Sequence, residues 1–280
     1  MSDQQVNLPY FDQLLALLDA GHPEIELAFG RHVHWGYWLN PEQALNTPED
    51  FGKAAEQLTR EVYSAANVKN GQAVLDVGCG LGGTIASLNE HFSQMNLVGL
   101  NIDGRQLEQA RKKLSAQNGN TVRFEEGNAC MLPFPDQSFD VVLAVECIFH
   151  FPDRRQFFQE AFRVLKPNGY LALSDFVPTD WLIPFLWDNK QLESFYGQWD
   201  VRYTAKSYAK LAAETGFRQV IERNITVNTL PTYQFLWTMK KYLKSDAYLF
   251  SALSQTFIAG LVSQLDLMRY MIFSFRSFNT

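Results

Sequence analysis

The stretch Val74-Leu75-Asp76-Val77-Gly78-Cys79-Gly80-Leu81-Gly82-Gly83-Thr84 constrains the fold of this chain more than any other. Its apolar beginning predicts a short buried strand. Glycines follow at once, with Gly78, Gly80 and Gly83 in the spacing G-x-G-x-x-G. They permit a tight turn and let a ligand lie against bare backbone. Residues 84–92 then run at helical spacing. Strand, glycine turn and helix open a nucleotide-binding βαβ unit, and such a unit calls for a parallel sheet.

The rest of the chain extends the alternation. The pattern predicts strands at 73–77, 96–101, 121–126, 139–146 and 170–176, with helices at 84–92, 105–117 and 155–165 between them. Two helices, at about 8–20 and 51–66, precede the first strand. The expected organisation is an N-terminal helical extension covering the cofactor (1–66) and a Rossmann-like domain (67–280). A segment rich in aromatics and broken by Pro178 and Pro184 reads as a lid insertion at about 177–203. A helix is expected at 204–216 and a helical insertion at about 229–265. Strands at 220–228 and 267–275 fit an antiparallel hairpin at the sheet edge. The fold class expected is therefore α/β: a doubly wound seven-stranded sheet, mostly parallel with an antiparallel edge hairpin, plus N-terminal helices and a helical lid.

The formal charge of −6 argues against nucleic acid or an anionic membrane surface as partner. Cys79, Cys130 and Cys147 show neither C-x-x-C pairing nor zinc spacing, which suits a reducing cytoplasm. The first residues lack the basic and apolar parts of a secretion signal. No apolar run approaches the ~18 residues of a membrane span.

Asp76 narrows the choice of ligand. A phosphate at a helix N-terminus wants backbone N–H groups and positive potential. A carboxylate two residues before Gly78 suits a cation instead. S-adenosylmethionine, with a sulfonium, an ammonium and no phosphate, fits. A dinucleotide site expects an acid on the ribose at the end of the second strand. Asn101 stands there, within Asn101-Ile102-Asp103, and its amide can still bond a ribose hydroxyl. Gln106 is a second candidate, and Asp103 reads as a helix cap. Asn128 and the free amide of Ala129 either read an adenine edge or form a plain turn.

The end of the fourth strand, Glu146-Cys147-Ile148-Phe149-His150, opens onto the expected pocket. His150 is the natural general base, since an imidazole titrates near neutrality. Asp175 ends the fifth strand beside it; the alternatives are orienting His150, binding the acceptor hydroxyl, acting as base, or capping. In Arg31-His32-Val33-His34-Trp35-Gly36-Tyr37-Trp38 the rings either cover a sulfonium by cation–π attraction or pack the N-terminal helices. Tyr37 is a candidate donor to the cofactor carboxylate. His32 and His34 have no third ligand, so no metal is expected.

Together 74–83, 132–140, 146–153 and 163–175 resemble the class I S-adenosylmethionine-dependent methyltransferases. The combination of 34–38 with Glu146, His150 and Ser174-Asp175-Phe176 is similar to the small-molecule tailoring branch, notably macrolide-sugar and microcystin-type O-methyltransferases. The resemblance implies that Asp76, Gly78, Cys79 and Gly80 hold the methionine part of the cofactor. It implies Asn101, Ile102 and Gln106 at the ribose, Asn128 and Ala129 at the adenine, and Glu146 among the cofactor contacts. Asn101 and Asn128 depart from the acids common at those positions. His150 and Asp175 match the family's base candidates.

The activity these features imply is O-methylation of a partly apolar natural product in secondary metabolism, releasing S-adenosyl-L-homocysteine. N- or C-methylation of a small metabolite or isoprenoid is the alternative, and a non-catalytic cofactor-binding partner the remote one. The partners expected are a small-molecule acceptor, sizeable and partly apolar, and a second copy of the chain.

Overall fold

The computed structural model describes residues 9–186, 192–194, 197–200, 202–242 and 247–278. Its strands are β1 (Ala73–Val77), β2 (Asn96–Asn101), β3 (Thr121–Glu126), β4 (Phe139–Val145), β5 (Leu165–Pro178), β6 (Leu192–Ser194), β7 (Gly197–Trp199), β8 (Phe217–Asn224) and β9 (Met268–Ser277). β6 and β7 pair only with each other. The other seven form one sheet in the order β3-β2-β1-β4-β5-β9-β8. The first five run parallel, and β9 is antiparallel to both β5 and β8. This is the mixed seven-stranded sheet expected from the sequence.

Helices cover both faces. α3 (Pro48–Ala65), α4 (Gly83–His91) and α5 (Gly104–Lys113) lie on one, where Leu58, Ile85 and Leu107 pack on Val74, Val141 and Ala172. α6 (Arg154–Val164) and α8 (Ala205–Glu214) lie on the other, where Phe157, Phe158 and Tyr208 pack on Leu75, Val142 and Leu173. Every residue of β1 is buried, which explains its unbroken apolar run. The remaining helices are α1 (Pro9–Asp19), α2 (Pro23–Phe29), α7 (Ile183–Leu186), α9 (Thr226–Thr229), α10 (Pro231–Thr238) and α11 (Ala247–Gln264).

Local chemistry moved several boundaries. α2 was not expected, although Pro23 in its first turn with Glu24 and Glu26 behind it is a helix start. Residues 166–169, between the expected helix at 155–165 and strand at 170–176, form a bulge inside β5, where pairing jumps from Phe139–Leu165 to Val141–Tyr170 and Asn168 has φ +65°. β8 stops at Asn224 rather than 228, because the Asn224 side-chain oxygen accepts from the Thr226 amide (3.0 Å) and hydroxyl (2.6 Å) and turns the chain into α9. Of the aromatics assigned to a lid, Trp187, Phe195 and Tyr196 lie outside the described residues, while Trp181 is exposed. No described helix is long and apolar enough to cross a membrane.

Candidate active site

Strand order reverses between β1 and β4, and open α/β sheets bind ligands at such a reversal, beyond the carboxyl ends of the strands. A cleft of about 960 Å³, its open mouth included, lies there. Asp76, Gly78, Cys79 and Gly80 form its floor, and Asn101, Ile102 and Gln106 one wall. Asn128 and Ala129 close the far end, while Glu146 and His150 enter from beyond β4. Eleven of the residues singled out in the sequence are thus brought to one cavity, and Tyr37 and Asp175 are not.

The floor holds a carboxyl with no cationic partner in the protein. Asp76 is buried, accepts a hydrogen bond from the Thr84 hydroxyl, and leaves Oδ2 without a protein partner. Burial pushes its carboxyl up to about 8. The amides of Gly78 and Cys79 are spent on the Leu100 carbonyl (2.8 and 3.0 Å), which fixes the turn to β2. Gly78 has φ +70°, and a Cβ there would sit 2.8 Å from Cys147. Gly80 has φ +54° and only Gln106 Oε1 near its missing Cβ, at 3.7 Å, so its bare face opens on the cleft. A lone buried carboxylate oxygen above exposed backbone fits the ammonium end of S-adenosylmethionine.

The wall is preorganised. Asn101 Nδ2 donates to Gln106 Oε1 (2.8 Å), and Asn101 Oδ1 accepts from the Ile102 amide (2.8 Å). Asp103 caps α5, accepting from the Arg105 amide at 2.9 Å. Asn128 Oδ1 accepts from the Cys130 amide (2.8 Å), which leaves the Asn128 amino group to face a ligand.

Glu146 departs from extended backbone at φ +50°, a conformation that costs about 1–3 kcal/mol in a non-glycine residue. One carboxyl oxygen accepts from the Trp35 amide (3.0 Å) and from the Tyr270 hydroxyl. Its own amide donates to Ser174 Oγ (3.1 Å). Burial raises this carboxyl to about 8 as well.

The segment at 31–38 divides between the two roles considered for it. Arg31, His32, Val33 and His34 line the cleft. His32 bonds Glu56 at 2.8 Å and His34 bonds Thr59 at 2.9 Å, so both imidazoles anchor a polar network. Burial drives His34 down to about 3 and keeps it neutral. Trp38 packs with Phe51 and donates to Asp50 (2.8 Å). Trp35 packs edge-on against Phe176 and Tyr233. Tyr37 does not line the cleft: its ring packs on the core and its hydroxyl lies near Glu61 and Arg223.

The 31–34 segment meets the glycine turn closely. A Cβ on Gly83 would lie 2.3 Å from His32 Nδ1 and 2.4 Å from the Arg31 carbonyl oxygen. Gly83→Ala should therefore lift this segment, destabilise the fold by about 1–3 kcal/mol and weaken cofactor binding. Thermal unfolding and calorimetry check both; unchanged values in the variant would mean that the contact is soft.

Asp175 does not line the cleft either. Side chains of β5 alternate between faces. Ala172, Ser174 and Phe176 face the α3–α5 layer with Tyr270, whereas Leu173, Asp175 and Val177 face α6 and α8. Asp175 is fully buried and accepts from Arg154 (2.8 Å) and from the Tyr208 hydroxyl (2.5 Å). Arg154, Tyr208, Tyr270 and Glu56 carried no local signal, since each gains its role only from a partner distant in sequence.

Residues 75–173 match the family model described as a methyltransferase domain. The methyltransferase GfsG of Streptomyces halstedii is 37% identical over 169 residues, 60% of this chain and 56% of GfsG. The (+)-O-methylkolavelool synthase of Herpetosiphon aurantiacus is 34% identical over 217 residues, 76% of this chain and 73% of that protein. Among solved structures, geranyl diphosphate C-methyltransferase from Streptomyces coelicolor, in complex with Mg2+, a substrate analogue and S-adenosyl-L-homocysteine, superposes with a TM-score of 0.69 at 15% identity, covering 97% of this chain and 98% of that one.

Proposed function

Because the chain belongs to the class I S-adenosylmethionine-dependent methyltransferases of the small-molecule tailoring type, we propose that it methylates a hydroxyl group of a partly apolar natural product, a polyketide, peptide–polyketide or glycoside. One observation carries the choice of oxygen: His150 shares the cleft with Asp76 and the glycine turn. An alcohol is a poor nucleophile until its proton leaves, whereas an amine arrives with a lone pair. A positioned base is therefore worth most to oxygen. The O-methylated product in the name of the Herpetosiphon relative supports the same choice.

The bound cofactor supplies an electrophilic methyl group on its sulfonium. Asp76 and the glycine turn hold its methionine end, Asn101 and Gln106 the ribose, and Asn128 and Ala129 the adenine. Phe11 of α1 and the segment 31–34 act as a cover over the cleft. An imidazole nitrogen of His150 would take the proton from the acceptor hydroxyl. Glu146, held by Trp35 and Tyr270, keeps the chain turned out of β4 so that Cys147 and His150 to Pro152 face the cleft. Orientation supplies most of the rate, and proton transfer adds about 10²–10⁴-fold.

Carbon methylation is the second reading. The rings of Trp35, Phe176, Tyr233 and Tyr270 adjoin one another beside Glu146, and aromatic faces stabilise a developing cation. Incubation with isotope-labelled cofactor and panels of alcohols, amines and prenyl substrates, read by mass, separates the readings. Label on oxygen supports the first; label found only on carbon or nitrogen removes it.

A further inference from the structure

The loop that carries His150 is closed by the backbone of one residue from elsewhere in the chain. The Asp200 amide donates to the Phe149 carbonyl at 3.3 Å. The Asp200 carbonyl in turn accepts from the Arg154 guanidinium at 2.6 Å. His150 lies between these two anchor points. Within the same loop Asp153 caps α6, accepting from the Gln156 amide at 3.0 Å, and its carbonyl accepts from Cys130 Sγ at 3.2 Å.

Arg154 is itself held from three sides. Its guanidinium bonds Asp175 (2.8 Å) and the Tyr208 hydroxyl (2.7 Å), and it stacks over the Tyr203 ring at 4.4 Å. Only 2% of Arg154 is exposed. A buried arginine is tolerable only with its charge matched, and Asp175 matches it. Both bonds land on Asp175 Oδ2, and although burial raises this carboxyl above the ordinary range, it lies on the face of β5 turned to α6 and α8, outside the cleft where an acceptor would sit. Arg155, next in sequence, half-exposed and paired with Glu214 at the surface, has no such surroundings.

We propose that Arg154 is a positioning residue for His150, anchored by Asp175 and Tyr208, and that Asp175 is the counter-ion of this arginine and not the proton acceptor. The arrangement links the end of β5, the start of α8 and the backbone at Asp200 to the orientation of one imidazole. It rests on the reading of His150 as the base. Displacing a reacting group by about 1 Å can cost 10²-fold in rate, so the tether need not touch the acceptor to matter.

The test compares Arg154→Ala, Arg154→Lys, Asp175→Asn and Tyr208→Phe in the full chain. Arg154→Ala should lower kcat by about 10²-fold while S-adenosylhomocysteine affinity, measured by calorimetry, stays within about twofold. Arg154→Lys keeps the charge but not the planar fork and should recover part of the loss, about tenfold. Asp175→Asn should lower kcat yet retain the acid limb of kcat/KM against pH. An acceptor-free readout is the His150 ring resonance in histidine-labelled protein saturated with S-adenosylhomocysteine, assigned through His150→Gln. It should move in Arg154→Ala and Asp175→Asn and move less in Arg154→Lys. If Arg154→Ala fails to fold, Tyr208→Phe, which removes one hydroxyl, should shift the same resonance. An unmoved resonance in folded variants, or loss of the acid limb in Asp175→Asn, overturns the proposal. Full turnover in His150→Ala with the resonance still moving in the Arg154 variants defeats the base assignment and leaves the tether standing.

Discussion

Asp76→Asn lowers the affinity for S-adenosylmethionine by about 10²–10³-fold, the range expected when one partner of a buried ion pair is lost. In the ligand-free protein the Asp76 carboxyl titrates at about 8 because burial disfavours its charged form. The sign of its pH dependence follows. A folded value above the ordinary 3.8 means that the group favours the folded state fully below that value, and the contribution is lost as pH rises toward 8. A cation in the cleft reverses this, because it binds the ionised form and drives the proton off. Affinity should therefore rise between about pH 6 and 7.5, approaching tenfold per unit, until the ligand's own α-ammonium deprotonates near pH 8. Calorimetry in buffers of different ionisation enthalpy should show close to one proton released per ligand at pH 7, and none in Asp76→Asn. Equal affinity in variant and parent would leave the Asp76 carboxyl without a role.

His150→Ala should keep cofactor affinity within about twofold and reduce kcat by about 10²–10⁴-fold, the span of general-base assistance. The loss should fall on kcat and kcat/KM alike, as expected for an interaction made in the transition state alone. If the loss appeared in KM alone, His150 would be a binding group. Turnover at the parent rate would remove it from the chemistry, and Glu146, which shares the cleft, would be the next residue to substitute.

Much of the site was legible because its chemistry is local in sequence. Asp76 and the glycines sit within a few residues, and the turn that bares their backbone requires Gly78 and Gly80 at positive φ. Asn101, Asn128 and His150 follow the ends of β2, β3 and β4, so the alternation alone carried them to one rim. The place of Asp175 was not legible, for an equally simple reason. It too ends a strand, but a strand end has two faces, and which one opens on the cleft depends on register and on what packs behind it. The place of Tyr37 was not legible because an aromatic beside tryptophans suits a core and a pocket equally.

What the sequence by itself determined is the architecture and the charge at its centre. Periodicity decides which segments are strands and helices, connection length makes the sheet parallel, and a carboxylate before a glycine turn selects a cation. Only the tertiary structure decided which charges are matched. Arg154 and Arg155 are identical neighbours, yet one is buried against Asp175 and the other meets Glu214 at the surface. That difference comes from the phase of α6 against β5 and α8, and long-range packing sets it where no local pattern can.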